Sequence, residues 1–193
     1  MALIIGLVPI LLVLGISGAV VYLLVAREAR RKDLVRELPI PTHLREHFVP
    51  LGDKNTGRQV SGAIRCSCGC GDLAVWSSNQ RRLVIPVCGQ CEKIFLLFDA
   101  GKHGWNGFVC GEDPLVRSEP MEEFCCPKCG QSSFGIGAVI VSQGKEDFCR
   151  QALTGEDDLT PEDWVNAFDY IGISLRCQNC GWTDRRWSRQ ETV

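Results

Sequence analysis

The chain opens on an unbroken apolar run. Residues 2–26 carry no charge, and 21 of the first 26 residues are hydrophobic. A helix of that length spans roughly 37 Å, enough to cross a hydrocarbon layer of about 30 Å with some tilt. Pro9 would kink a soluble helix but is tolerated in a membrane one. A cleaved leader is the rival reading, and Leu24-Val25-Ala26 is the feature that speaks for it. Against it stand the length of the run and the lack of positive charge before it. The pattern therefore predicts a single transmembrane α-helix over 1–26. Pro39 and Pro41 then break the chain, and Thr42 is placed to cap a short helix through Phe48. Residues 51–61 are rich in Gly, Asp, Asn and Ser and read as a loop. From Ser61 onward the apolar positions come in short clusters. Arg82–Cys88, Ile94–Phe98, Tyr170–Leu175 and the segments starting at Leu73 and Phe134 read as strands. Lys145–Leu153 reads as a helix. Thr160, Pro161 and Asp163 supply the cap, first-turn proline and third-position acid of another, whose Trp164, Val165 and Phe168 join Leu159 on one apolar face.

Composition changes this picture in one respect. Setting aside the apolar head and the 12 cysteines leaves 54 ordinary hydrophobic residues among the 167 from Arg27 onward, about 32%. Globular domains run nearer 45–50% apolar. So thin a core argues against one large soluble enzyme domain, and the absence of a second long apolar run argues against several spans. The positive residues Arg27, Arg30, Arg31, Lys32 and Arg36 follow the head at once. The positive-inside rule then places the N-terminus outside the cell membrane and the rest of a single-pass chain in the cytosol. Residues 27–60, with eight basic and five acidic side chains, form a basic juxtamembrane helix and linker. Their charge serves either as a topology signal or as an attraction to anionic head groups.

A reducing cytosol disfavours disulfides among the 12 cysteines and favours metal ligation. Three C-x-x-C pairs stand out: Cys88/Cys91, Cys126/Cys129 and Cys177/Cys180. A fourth cluster, Cys66-Ser-Cys68-Gly-Cys70, is tighter. The chain repeats itself around them. Leu73 follows Gly69, and Phe134 follows Gly130, by the same interval. The returning arms end alike, in Cys88-Gly-Gln-Cys91 and Cys177-Gln-Asn-Cys180. Each copy reads as Cys pair, strand, connection, strand, Cys pair, strand. The repeat assigns Cys66, Cys68, Cys88 and Cys91 to one four-cysteine site, and Cys126, Cys129, Cys177 and Cys180 to another. Cys70 and Cys125 compete for places in these sets. Cys110 and Cys149 have no regular spacing, and a third site including His103 is a further reading. His43 and His47 lie four apart and would share a helix face, but no acid accompanies them in an H-E-x-x-H arrangement.

Cys126-Pro-Lys-Cys129-Gly and Cys177-Gln-Asn-Cys180-Gly resemble the knuckles of zinc ribbons, and Cys66-Ser-Cys68-Gly with Cys88-Gly-Gln-Cys91 resembles the variant with a C-x-C first knuckle. The resemblance covers residues 61–187. It implies a small β-rich fold holding two structural Zn2+ ions on β-hairpins, and it implies little about activity. The expected organisation is a first module at 61–112, a connection at 113–121 and a second module at 122–193, with a helical insert at 145–169. Three glycines and the aromatic pair Trp105 and Phe108 mark the loop that ends the first module.

Charge weighs on function. From Ser61 onward 13 basic residues face 18 acidic ones, and eight thiolates with two Zn2+ would take the net to about −9. Nucleic-acid binding, the usual role of such ribbons, wants the opposite sign; only Arg185, Arg186 and Arg189 speak for it. An enzyme would need an open metal position, and no Walker loop, G-x-S-x-G or H-E-x-x-H motif is present. Thiol redox chemistry at a C-x-x-C pair is the remaining catalytic reading. The sequence thus points to a membrane-tethered, non-catalytic module that binds another protein, with nucleic acid as the alternative partner.

Overall fold

The computed structural model describes residues 38–52, 55–103, 120–152 and 160–192. All belong to one compact unit, Leu38–Val193. The apolar run 2–26, the basic segment that follows it, Cys110 and most of the loop with Trp105 and Phe108 lie outside the described residues. Among the described residues no helix is long and apolar enough to cross a membrane.

The fold is β-rich with few helices. Nine strands are described: β1 (Phe48–Pro50), β2 (Gln59–Ile64), β3 (Leu73–Ser78), β4 (Leu83–Cys88), β5 (Phe98–Asp99), β6 (Met121–Glu123), β7 (Phe134–Ser142), β8 (Phe168–Cys177) and β9 (Thr183–Glu191). All pairings are antiparallel. One run is β1-β2-β7-β8-β9 and the other is β6-β3-β4-β5, and the two meet at a single pair, Leu73 opposite Phe134. The strands form because their side chains alternate. In β7, Phe134, Ile136, Ala138, Ile140 and Ser142 are buried, while Gly135, Gly137, Val139 and Val141 between them are not. That period of two puts one face on the core and the other outward. The core gathers Phe134, Ile140, Ile171, Ile173 and Trp187 from the longer run, and Leu73, Val75 and Val84 from the shorter one.

Three local expectations meet a different outcome. The helix foreseen from Thr42 to Phe48 is a single 3-10 turn, Thr42–Leu44, whose cap position is Pro41. Phe48 instead opens β1, because its ring is buried and its backbone pairs opposite Ile64. The stretch foreseen as a loop to residue 61 already carries β2 from Gln59, which pairs with β7 along its whole length. Ile94–Phe98 is not a continuous strand: Ile94 makes one isolated bridge to Val87, and pairing resumes at Phe98. The helix Lys145–Ala152 forms where expected. The capping box at Thr160 and Asp163 also forms, but it starts a 3-10 helix, Pro161–Val165. Trp164 and Val165 pack on Phe148 of the preceding helix.

Candidate metal centres

Each cluster begins in a turn that sends two thiols the same way. In the first knuckle the Gly69 N–H donates to the Cys66 carbonyl (2.8 Å) and the Cys66 N–H to the Cys70 carbonyl (2.9 Å). In the third, Gly130 N–H donates to the Cys126 carbonyl (2.8 Å) and Cys126 N–H to the Gln131 carbonyl (2.8 Å). The returning knuckles match as well. Cys88 N–H donates to the Lys93 carbonyl and Glu92 N–H to the Cys88 carbonyl, both at 3.0 Å; Cys177 pairs the same way with Trp182 (2.8 Å) and Gly181 (3.1 Å). The sequence repeat is therefore a repeat of hydrogen bonds. Its equivalent residues Leu73 and Phe134 face each other directly, and Ser133 Oγ donates to the adjacent Asp72 carboxylate at 2.5 Å.

These turns bring together Cys66, Cys68, Cys88 and Cys91 in one group and Cys126, Cys129, Cys177 and Cys180 in the other. Within each group all four sulfurs lie within 4.8 Å of one another. Cys66 and Cys91 are 3.5 Å apart, Cys68 and Cys88 3.6 Å, Cys126 and Cys180 3.6 Å, and Cys129 and Cys177 3.6 Å. A disulfide needs about 2.05 Å. A tetrahedral site with bonds of ~2.3 Å to sulfur separates its ligands by about 3.8 Å. Both groups fit the second geometry and can hold a metal ion. They are the only such groups among the described residues.

The thiols interact with backbone donors and with one another. Backbone N–H groups of Cys91 and Gln90 face Cys88 and hold its thiol down at about 6. The Gln131 N–H and the Asn179 side chain do the same for Cys129, also at about 6. Cys68 and Cys180 go the other way, to about 12. There the backbone N–H groups of Cys70 and Trp182 favour the thiolate, but desolvation and the three neighbouring sulfurs of each set together outweigh them. Four thiolates at these separations repel one another, and a bound cation is what removes the penalty.

The other candidate residues are placed elsewhere. Cys70 lies outside the first group, and its sulfur accepts from the Asp72 N–H (3.4 Å). Cys125 is exposed, with its sulfur 4.0 Å from the Glu123 carbonyl. Cys149 packs against Phe148, Trp164 and Val165. His43 and His47 do not converge. His47 stacks on Phe95 at 3.8 Å, and its Nδ1 lies 3.0 Å from the Arg65 carbonyl. His43 stacks on His103 at 4.3 Å. The Asp99 N–H donates to His103 Nδ1, and burial drives the His103 pKa down to about 3 and lowers that of His43. The pair is a neutral packing element. The three arginines foreseen as a patch also part company: Arg189 Nε donates to the Tyr170 hydroxyl, whereas Arg185 faces a trough on the sheet that also takes in Arg65 and Arg176. Sequence reasoning missed those last two. The available signal was the small residues Gly135, Gly137 and Ser174 at the outward positions of β7 and β8.

No family model, no curated protein and no solved structure matches the chain.

Proposed function

We propose that this chain is a membrane-anchored zinc protein whose two four-cysteine sites hold structural Zn2+ and stiffen a non-catalytic surface for binding another protein. The observation that carries this reading is the closed sulfur set at each site. Four cysteine sulfurs complete a tetrahedron, leaving no position at which zinc would activate water. Zinc is the natural occupant of such a set, since it favours tetrahedral thiolate coordination and does not cycle between redox states. The thin core counted from the sequence makes the metal part of the fold: a structural zinc contributes roughly 10–16 kcal/mol of apparent binding free energy at neutral pH. Anchoring rests on the uncharged run 2–26 and the basic residues after it, which support a zinc-binding part on the cytosolic face of the cell membrane. Nucleic acid is the less favoured partner because the charge from Ser61 onward is net negative.

The test is elemental analysis of the full chain, purified in detergent without added metal, followed by partner capture. Two zinc ions per chain are expected. The Cys126→Ser/Cys129→Ser variant should keep one and lose the captured partner. A chain free of zinc that keeps its fold in strong chelator would overturn the reading.

A further inference from the structure

The outward face of β2, β7 and β8 is floored by small residues. The register sets Ala63 beside Gly137 and Gly137 beside Ser174. Gly135 lies opposite Arg176, and Arg176 opposite Thr183 of β9. Neighbouring polar groups fold over this floor. A Cβ at Gly137 would come within 2.7 Å of Ser174 Oγ, and one at Gly135 within 2.8 Å of Gln178 Nε2. The result is a trough of about 490 Å3. It is bordered by both metal knuckles, at Gly71 just beyond the first and at Gln178 inside the fourth.

Three arginines line this trough, and no acid does among the described residues. The Arg65 guanidinium donates to the Gly69 carbonyl, which holds it above the first knuckle. Arg176 projects from the exposed end of β8. Arg185 lies where the register of β9 against β8 shifts between Ile173 and Leu175. Irregularities of this kind re-aim side chains. Neither Arg176 nor Arg185 has an acidic partner among the described residues. Three arginines without an acid among the described lining residues make this trough complementary to a negatively charged ligand.

We propose that this trough docks an acidic, extended segment of a partner polypeptide, an inference that rests on the reading of the chain as a protein-binding module. Guanidinium forks match carboxylates in paired hydrogen bonds. Ser174 and Gln178, lying over the glycine floor, offer hydrogen-bond partners to a second backbone. A single-stranded nucleic acid fits less well. No aromatic ring lines the trough among the described residues to stack a base.

The experiment uses the full chain in non-ionic detergent with its metal retained, and a labelled short peptide rich in Asp and Glu, read by fluorescence anisotropy at physiological ionic strength. The wild-type chain should bind this peptide and not its Asn/Gln counterpart. Arg176→Glu with Arg185→Glu should weaken binding about tenfold or more. Arg186→Glu makes the same kind of charge change beside the trough and should alter binding less than about twofold. Should the double reversal lower the zinc content, Arg176→Gln with Arg185→Gln carries the same expectation. The proposal falls if the wild-type chain ignores the peptide, if Arg186→Glu weakens it equally, or if a single-stranded oligonucleotide of equal charge binds more tightly at the same arginines. Binding is read only on chains with full zinc, so failure here leaves the metal reading standing.

Discussion

After the second cysteine of each knuckle the backbone turns left-handed. Gly69, Gly130 and Gly181 sit there at φ +89°, +74° and +71°, and Glu92 sits there at +58°. A side chain at such a φ costs roughly 1–2 kcal/mol, which glycine avoids. Nothing lies within 4 Å of a Cβ built at Gly130, so Gly130→Ala tests the backbone cost alone. That variant should lose about 1 kcal/mol or more in urea unfolding of the metal-loaded chain, whereas Glu92→Gly should gain up to about 1 kcal/mol. Equal losses from both would show that the turn geometry is not what selects these residues. The half-buried imidazole of His103 makes a prediction with pH. Its folded pKa of about 3 lies below the usual 6.5, so the unfolded chain takes up the proton first. Its contribution is therefore fully present above pH 6.5 and is lost as pH falls from there toward 3, by at most about 1.4 kcal/mol per pH unit. His103→Phe keeps a ring against His43 but cannot titrate. Between pH 7 and 5 its stability should fall less steeply than that of the wild-type chain, and parallel slopes would refute the assignment. Acid loss of metal affects both chains alike and drops out of the difference.

Spacing made the knuckles readable, because a turn that aims two thiols at one point tolerates few patterns. The same logic separated Cys68 from Cys70. The carbonyl of Cys70 occupies the place of the Gln131 carbonyl in the other copy, which turns its sulfur away toward Asp72. Cys68→Ser should therefore lower the zinc content by one ion per chain and Cys70→Ser should leave it unchanged. Elemental analysis of the two variants decides this, and the reverse result would exchange the ligand assignment. Elements without a metal clamp were less legible. Thr42–Phe48 has a good cap residue and no internal breaker, yet Phe48 gains more by burying its ring in β1 than by continuing a helix. Local propensity lost there to pairing with β2, the next strand along the chain. Pairing of β2 with β7 likewise leaves no local trace, since both strands simply alternate. Arg65 and Arg176 come to one trough only through the pairing of β7 with both β2 and β8, so the small outward residues hint at the trough but not at which arginines line it.

At the scale of the molecule the two metal sites do not stand on equal support. The second lies at the end of β7 and β8, strands of nine and ten residues backed by Phe134, Ile140, Ile171, Ile173 and Trp187. The first takes Cys66 and Cys68 from the turn between β2 and β3 and Cys88 and Cys91 from the end of β4; β3 and β4 have six residues each, and their further neighbours β5 and β6 have two and three. Fully burying one large apolar side chain contributes roughly 1.5–3 kcal/mol, so the longer strands keep substantial stability of their own, while the shorter hairpin depends more heavily on its clamp. The two runs share one β-pair, Leu73–Phe134, with the Ser133–Asp72 hydrogen bond beside it and Phe124 against Phe134 and Trp187, a narrower seam than the pairing within either run, so the shorter run can open first. Metal removal should then proceed in order. As chelator is added to the full chain, amide protection in Leu73–Ser78 and Leu83–Cys88 should fall first, and that in Ile136–Ile140 and Ile171–Leu175 later. Hydrogen exchange followed by mass spectrometry reads both regions in one sample. Loss of protection in both at one chelator concentration would mean that the sheet is a single cooperative unit and that the clamps are shared. Loss in the reverse order would mean that strand length and burial do not set the local stability.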